Sequence, residues 1–265
     1  MTGPLVDAMG KPHQIADQAS VRLVSLVPSI TELLCDLGLS SLMVGRTGFC
    51  IHPADVVKTI PKIGGTKDVN IEKIRRLAPT HLIVNIDENE KPTVDLLSEF
   101  IPHVIVTHPM TPADNIGLYR LLGTIFQAEE KAEKLVYAFE TASAALTRSV
   151  IHPMERVMYC IWQDPWMTVS RDTYIAQMLS LIGWEVWRSP DSEKRYPVFD
   201  WNQQMLDQID RILLSTEPYH FSEVHVDALE RQTGKLVQLV DGEMVSWYGS
   251  RAIAGLHYLK SLALS

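Results

Sequence analysis

Acidic side chains stand directly after two of the apolar runs, where they could act as general acids or bases. Asp87 and Glu88 follow the run 81–85, and Glu217 follows the run 211–215. Two carboxylates that face each other across a cleft are typical of hydrolases, so one hypothesis is an enzyme that uses these three residues. The alternative is that they are solvated loop charges, and the sequence leaves both open.

The tryptophans form a second pattern. All six lie between Trp162 and Trp247. Trp162, Trp166 and Trp247 fall in predicted strand-exit loops rather than at periodic apolar positions. Aromatic planes there suit a large flat ligand, because each stacked pair adds about 0.5–1.5 kcal/mol beyond area burial. We predict ligand contacts for Trp162 and Trp166, with burial at the end of a sheet as the alternative.

Metal and phosphate chemistry have little support in the sequence. Cys50, His52 and His108 carry metal-binding groups, but Cys-x-His alone is a weak signal. The remaining cysteines, Cys35 and Cys160, complete an odd set without a Cys-x-x-Cys pair, which gives no disulfide framework. The sequence contains no glycine-rich phosphate loop and no Gly-x-Ser-x-Gly motif. We therefore expect no intrinsic cofactor and no metal held by protein ligands alone.

The elements that would position these residues alternate between strand and helix. Strands are predicted at 22–27, 42–45, 81–85, 103–107, 156–161, 184–187, 211–215 and 236–240. Alternation of this kind predicts an α/β fold with parallel sheets and right-handed crossovers. A short hairpin is predicted before them, at 6–15.

Ligands of open parallel sheets bind beyond the carboxyl ends of the strands. The residues that the predicted strands place there are Ser29, Phe49, Cys50, Asp87, Glu88 and His108 in the first half, and Trp162, Trp166, Glu217, Tyr219, Trp247 and Arg251 in the second. Two sheets of this kind would present these residues on either side of one ligand cleft.

A long amphipathic helix is predicted between the two halves, from Thr111 to Ile151. Apolar residues recur there at three- and four-residue steps without a proline after Pro112. Gly123 or Gln127 would be the place of a local break. We predict two Rossmann-like lobes bridged by this helix, with residues 1–111, 112–152 and 153–265 as the three parts. The alternative is a packed helix pair inside one domain.

The composition argues against nucleic-acid binding and against a membrane-spanning segment. The 265 residues are 46% hydrophobic and 21% charged, and the formal net charge is −8. The absence of a basic run argues against a nucleic-acid partner, and no apolar run approaches the roughly 20 residues of a membrane span. No secretory signal is visible, so the expectation is a cytoplasmic protein. A periplasmic or extracellular location is expected if the amino terminus was trimmed.

The blocks RLVSLVPSITELLCDLGL, VGRTGFCIHP, IPKIGGTKDVNIEKIRRLAPTHLIVN and DGEMVSWYGSR resemble the helical-backbone (class III) substrate-binding proteins of ABC importers. The resemblance covers nearly the whole chain and is closest to the cobalamin-binding branch. It implies two α/β lobes bridged by one long helix, with a corrinoid held between the lobes and no catalysis. Iron–siderophore or haem binding on the same fold is the alternative.

The resemblance also implies particular residues. The corrinoid would be contacted by Pro28, Ser29, Phe49, Cys50, Gly65, Thr66, Asn85, Asp87, Glu88, His108, Trp162, Trp166, Arg171, Glu217, Trp247 and Arg251. Thr66 and Asn85 or Ile86 stand where well-known cobalamin binders have aromatic residues. Docking on an ABC permease would use one acidic residue in each lobe. Glu72 matches the first, while the second position falls at Asn202, which is not acidic.

Overall fold

The computed structural model describes residues 5–149, 154–189 and 193–263. The chain forms two compact units. Unit 1 consists of Met1–Pro109, Ala113–Ala138 and Tyr248–Ser250, and unit 2 consists of Met110–Pro112, Phe139–Trp247 and Arg251–Ser265. The division into two lobes and a bridging helix at 112–152 stays a prediction.

Unit 1 is built on a four-stranded sheet. Its strands are β1 (Leu23–Ser25), β2 (Met43–Arg46), β3 (His81–Asn85) and β4 (His103–Thr107). All neighbours are parallel, in the order β2-β1-β3-β4. β1 and β3 are buried along their whole length, as continuous apolar runs in parallel sheets usually are. The connection after β1 leads to β2 on one side of the sheet, and the connection after β3 leads to β4 on the other side. The topological switch point therefore lies between β1 and β3.

Five helices accompany this sheet, and a sixth follows them in the chain. They are α1 (Pro28–Asp36), α2 (Ala54–Val57), α3 (Ile71–Arg76), α4 (Lys91–Ser98), α5 (Asp114–Ile125) and α6 (Glu129–Ser149). Local sequence explains their starts. Pro28 occupies the first turn of α1, where its missing N–H costs nothing. The side chain of Asn70 caps α3 by accepting a hydrogen bond from the backbone N–H of Lys73.

The predicted hairpin at 6–15 is confirmed in its turn. Val6 and Pro12 form an antiparallel bridge. The backbone N–H of Ala8 donates to the carbonyl of Val106 at 3.0 Å, and that of Val106 donates to the Asp7 carboxylate at 3.1 Å. The hairpin therefore covers the free edge of β4.

The long helix predicted from Thr111 is broken at Gln127, one of the two positions expected for a local break. The chain forms α5 and α6 with a break at 126–128, where Gln127 has a φ of 54°. Gly123 permits the break, because a Cβ at this position would lie 2.5 Å from the Cβ of Ala132 on α6. The helix also starts at Asp114 rather than at Thr111, and its predicted end at Ile151 lies outside the described residues. α6 itself runs for 21 residues and continues from unit 1 into unit 2.

Unit 2 is built on a five-stranded sheet around β5 and β8. Its strands are β5 (Glu155–Trp162), β6 (Met167–Thr168), β7 (Trp184–Val186), β8 (Arg211–Ser215) and β9 (Leu236–Val240). The order is β6-β5-β8-β9, with β7 also paired to β5. β6 is antiparallel to β5, so the prediction of a purely parallel sheet needs this correction. The switch point of unit 2 lies between β5 and β8, because β7 and β8 flank β5 on opposite sides.

The helices of unit 2 are α7 (Tyr174–Ser180), α8 (Gln203–Leu206), α9 (Glu223–Thr233), α10 (Gly242–Ser246) and α11 (Arg251–Leu262). α9 ends at Gly234, whose φ of 68° is left-handed and therefore favours glycine. A buried cluster that includes Met158, Phe199 and Phe221 fills the space between this sheet and its helices.

Candidate functional site

The polar residues predicted for unit 1 gather at its switch point. Ser29 lies in the first turn of α1, the helix that follows β1, and Asn85 ends β3. The side-chain amide of Asn85 accepts a hydrogen bond from the backbone N–H of Asp87 at 2.8 Å. Asn89 accepts one from the backbone N–H of Asn85 at 2.9 Å and donates one to the carbonyl of Thr66 at 3.1 Å. The two asparagines thus hold the loops at 66 and 85–89 in place, and Asn89 is a residue that sequence reasoning missed.

The two carboxylates predicted for the site in unit 1, Asp87 and Glu88, both contact other side chains. The phenol of Tyr248 donates to Oε1 of Glu88 at 2.5 Å, and Nε2 of His108 lies 3.3 Å from Oδ2 of Asp87. Burial raises the pKa of the Tyr248 phenol well above its usual value, and the Glu88 charge adds to this rise. The nearby Ser29 hydroxyl opposes it. Glu88 is therefore an anchor for Tyr248, a partner that sequence reasoning missed although Tyr248 stands next to Trp247.

Phe49 and Cys50 are neighbours in sequence and differ in environment. Phe49 is 61% exposed, and its ring packs beside Gly65. Cys50 is buried, and its Sγ lies 3.0 Å from the hydroxyl of Thr31 and 3.1 Å from that of Thr47. Burial raises the pKa of the Cys50 thiol. The prediction of ligand contact therefore does not fit Cys50, because its sulfur lies in the interior with two hydroxyl partners.

Exposed aromatic surface marks the switch point of unit 2. Trp162 ends β5 and is 40% exposed. Its ring meets that of Tyr219, which follows β8, at 5.4 Å and an interplanar angle of 75°. The two rings thus line the crevice that parallel sheets use for ligands.

Trp166 occupies a different place from Trp162. Its ring stacks on Phe221 at 5.8 Å and 7°, and Trp201 meets it edge-on at 5.4 Å. Trp166 packs on the main buried cluster of unit 2. The structure therefore favours sheet-end packing for Trp166 over the predicted ligand contact, because its aromatic faces already have partners.

Glu217, Trp247 and Arg251 form one polar group in unit 2. The indole N–H of Trp247 donates to Oε2 of Glu217 at 2.8 Å. The guanidinium of Arg251 lies 4.9 Å from the Trp247 ring centroid and 3.0 Å from Oε2 of Glu243. Burial raises the pKa of Glu217, the charges of Glu243 and Asp241 add to this, and the Trp247 and Arg251 contacts oppose it. The structure brings these three predicted residues together, with Trp247 buried.

Arg171 lies apart from the aromatic crevice. Its guanidinium contacts Glu185 at 2.7 Å and the carbonyl of Val186 at 3.1 Å. In the register of β5 with β7, Val186 is level with Val157, which precedes Trp162 by about 16 Å at 3.3 Å per residue. The structure places Arg171 away from the β5–β8 crevice, and its predicted ligand contact stays a prediction.

The two predicted docking positions lie at helix starts. Glu72 is in the first turn of α3, and its side chain is 73% exposed. Asn202 caps α8, accepting a hydrogen bond from the backbone N–H of Met205 at 2.9 Å. An Asn is a strong capping residue, which gives Asn202 a structural role at the position where the resemblance implies an acid.

Within 5–149, 154–189 and 193–263, no group of three or more His, Cys, Asp or Glu side chains is arranged to hold a metal ion. No helix in these ranges combines the length and apolarity that crossing a bilayer requires.

The profile of the family described as periplasmic binding protein matches residues 23–235. The chain belongs to this family. It is also similar to YvrC of Bacillus subtilis (strain 168), an uncharacterized ABC transporter substrate-binding lipoprotein, with 26% identity over 170 residues. That match covers 61% of this chain and 53% of the relative, so the chain spans about half the length of this relative.

Solved structures share the fold. The periplasmic vitamin B12 binding protein BtuF of Vibrio cholerae superposes with a TM-score of 0.77 at 19% identity, covering 92% of this chain and 98% of that one. The periplasmic haem-binding protein RhuT of Roseiflexus sp. RS-1 gives 0.73 at 21% identity, covering 92% and 99%. The predicted α/β class and the resemblance to substrate-binding proteins are confirmed. The family and these relatives are binding proteins, which agrees with the prediction that the chain is not an enzyme.

Proposed function

We propose that this protein is the substrate-binding component of an ABC importer and that its ligand is a corrinoid. The observation that carries the proposal is the exposed ring of Trp162 against Tyr219 at the β5–β8 switch point. A corrin ring is a broad apolar plane, and exposed aromatic rings bind such planes well.

The same surfaces argue against the enzyme hypothesis. A general acid or base must reach the proton it moves. Glu88 is held by the Tyr248 phenol and Glu217 by the Trp247 indole. These two carboxylates therefore act as anchors for aromatic side chains, and Asp87, the third residue of the enzyme hypothesis, lies 3.3 Å from Nε2 of His108. The geometry supports binding as the function.

A corrinoid metal brings its own axial ligands, whereas haem iron takes one from the protein, and tyrosine is among the side chains that serve. The β5–β8 crevice presents the rings of Trp162 and Tyr219, so its surface suits a flat ring of either class. We rank the corrinoid first because the sequence blocks resemble the cobalamin-binding branch most closely. Similarity to both vitamin B12 and haem binders makes haem the second candidate.

The proposal includes a location and a partner. A relative named as a lipoprotein supports a position outside the cytoplasm, and we favour this over the cytoplasmic expectation. The partner would be an ABC permease. The exposed side chain of Glu72 is the acidic residue we propose for docking, so Glu72→Ala should weaken permease binding without changing ligand affinity.

A titration with cyanocobalamin tests the function. Tryptophan fluorescence and calorimetry should show saturable one-to-one binding in wild type. Trp162→Ala should weaken this binding about tenfold, a loss of about 1.4 kcal/mol, because one aromatic contact is removed. Tyr137→Ala is the matched control, since Tyr137 is an aromatic residue of α6 that is 73% exposed.

Parallel titrations with haemin and a ferric siderophore separate the ligand classes. Binding of haemin alone, with a shifted Soret band, would replace the corrinoid by haem. Equal affinity of wild type and Trp162→Ala would remove the Trp162 surface from the site. The expectation that Phe49 of unit 1 contacts the same ligand remains a prediction, which a Phe49→Ala, Trp162→Ala double variant tests.

A further inference from the structure

A cavity of about 820 Å³ lies at the outer edge of the unit 1 sheet. Its walls are formed by residues 5–8 at the start of the hairpin, residues 106–109 at the end of β4, helix α5 and the start of α6. All of these segments belong to unit 1. β4 is an edge strand, whereas the switch point lies between β1 and β3. The cavity is therefore at a different place on the sheet from the switch point.

The size and the lining of this cavity are those of a small-molecule site. Ligand pockets have volumes of about 300–1,000 Å³ and are lined mostly by apolar groups, with a few polar groups among them. The apolar part of the lining includes Val106, Leu118 and Leu121. Val106 and Leu121 are half-buried, so part of each side chain faces water. An apolar ligand would gain free energy by removing this surface from water.

Gly117 keeps the cavity open on the side of α5. It lines the cavity, and a Cβ at this position would meet no heavy atom within 4 Å. Glycine in the middle of a helix lowers its stability relative to alanine. The described neighbours leave room for a side chain, so this glycine enlarges the cavity at a cost in helix stability.

The charged side chains of the lining are four acids and one arginine. Asp7 accepts two hydrogen bonds from backbone N–H groups of the hairpin, and Arg120 donates to both oxygens of Glu133 at 2.7 and 3.0 Å. Asp114 lies in the first turn of α5. The carboxylate of Glu129 has no hydrogen-bond or salt-bridge partner among the residues that the structure describes. The net charge around the cavity is therefore negative, with an uncompensated carboxylate at the start of α6.

We propose that this cavity binds a small amphiphilic cation, a primary aliphatic amine. Its ammonium group lies beside Glu129, and its hydrocarbon chain covers the apolar wall at Leu118 and Leu121. An ammonium group donates three hydrogen bonds and is attracted by the acidic lining, whereas an anionic ligand is repelled by it. This site is additional to the proposed corrinoid site and does not depend on it.

Decylamine and decanoate are the probes, because they share a hydrocarbon chain and carry opposite charges at pH 7.5. Calorimetry below the concentrations at which they form micelles should show saturable one-to-one binding of decylamine to the full chain. Decanoate should bind at least about tenfold more weakly. The backbone amide signals of Gly117 and Leu121 should shift in NMR spectra as decylamine is added.

Two variants and a matched control test the site. Gly117→Leu introduces a good helix former whose side chain occupies the cavity, so it should weaken decylamine binding at least about tenfold without lowering the melting temperature. Glu129→Gln should weaken it about fivefold, as expected when one exposed opposite charge is lost in water. Glu130→Gln is the control, because Glu130 also lies in the first turn of α6 but does not line the cavity. It removes the same charge and should leave decylamine affinity unchanged.

The outcomes separate this proposal from the proposed function. The cation site is overturned if wild type binds decylamine no more tightly than decanoate, or if folded Gly117→Leu binds decylamine as tightly as wild type. Displacement of decylamine by cyanocobalamin also overturns it, because both would then occupy one site. Selective decylamine binding by a wild type that binds none of cyanocobalamin, haemin and a ferric siderophore supports the cation site and overturns only the proposed function.

Discussion

A buried histidine in unit 1 should make the folding stability depend on pH between about 6.5 and 4. His81 begins β3 and is 7% exposed. Its ring stacks on His103 at 4.6 Å and meets Phe126 edge-on at 5.3 Å, and its Nδ1 lies 2.9 Å from the Thr80 hydroxyl. Burial lowers the pKa of His81 from 6.5 to about 4, and the charges of His103 and His13 contribute further.

The sign follows from the direction of the shift. The folded pKa lies below the unfolded one, so the unfolded chain takes up the proton first as the pH falls. The contribution of His81 to the free energy of unfolding is therefore complete above pH 6.5 and declines between pH 6.5 and about 4. At lower pH this contribution no longer changes. The shift corresponds to at most about 3 kcal/mol at about 1.4 kcal/mol per pKa unit. His103 is exposed, so solvent weakens its electrostatic effect on His81. We therefore expect the protein to lose about 1–2 kcal/mol of stability over this pH range.

Urea unfolding of wild type and His81→Gln at pH steps from 7.5 to 4 measures this contribution. Gln keeps a hydrogen-bonding side chain near Thr80 and carries no proton to gain. The variant should be less stable at neutral pH because packing on His103 is lost, and the difference from wild type should shrink by about 1–2 kcal/mol toward pH 4. His257→Gln is the control, because His257 is exposed on α11.

The difference in unfolding free energy between wild type and His81→Gln, plotted against pH, separates the effect of His81 from that of other titrating groups nearby. Asp7, which His13 contacts at 3.0 Å, has a lowered pKa, so its stabilising effect is lost below pH 3.8 and outside this window. A stability difference between wild type and His81→Gln that stays constant from pH 7.5 to 4 would refute the reasoning, since a neutral buried histidine cannot then be the titrating group.

Three further substitutions have definite expected outcomes. Gly123→Ala should destabilise the protein by about 1–3 kcal/mol in urea unfolding, because its Cβ would overlap the facing alanine of α6. Gly117→Ala on the same helix is the control, because its Cβ would meet nothing within 4 Å. This variant should be neutral or stabilising by up to about 1 kcal/mol. Trp247→Phe should lower the free energy of unfolding by about 1–3 kcal/mol at pH 7, because the Glu217 carboxylate loses its indole donor. The loss should be smaller at pH 5, because the pKa of Glu217 is raised and its carboxyl is more protonated there than at pH 7. An equal loss at both pH values would contradict the anchor role. Asn202→Asp should leave stability within about 0.5 kcal/mol, because both residues cap helices well, and should strengthen permease binding in a pull-down; unchanged binding would separate this position from docking.

The sheets could be predicted from sequence because their strands are continuous apolar runs between helical segments. The runs at 81–85, 103–107, 211–215 and 236–240 coincide with β3, β4, β8 and β9. β6 was missed because it is only Met167–Thr168, and its pairing depends on Cys160 and on a bridge to Val198 far along the chain. A two-residue strand leaves no periodic pattern to find.

The break between α5 and α6 shows a second limit. The apolar period continues through 126–128, so periodicity alone predicts one helix. What ends α5 is the close approach of Gly123 to Ala132 and the hydrogen bonds that tie 125–127 to the chain before β1. The carbonyl of Ile125 accepts from the backbone N–H of Ala16, and the Gln127 amide donates to the Ala16 carbonyl at 2.7 Å. These partners are more than a hundred residues away in sequence.

The same limit applies to the candidate site. Glu88 follows β3 of unit 1 and Glu217 follows β8 of unit 2, as the parallel-sheet pattern predicts, but residue type alone does not separate a solvated carboxylate from one that anchors another side chain. The two adjacent aromatic residues Trp247 and Tyr248 decide this, since one donates to Glu217 and the other to Glu88. The Trp162 ring contacts Tyr219 and still exposes 40% of its surface among the described residues, so it has surface left for a ligand. The tryptophans of unit 2 divide by the same criterion, because the half-buried Trp166 contacts the rings of Phe221 and Trp201 while Trp162 remains 40% exposed.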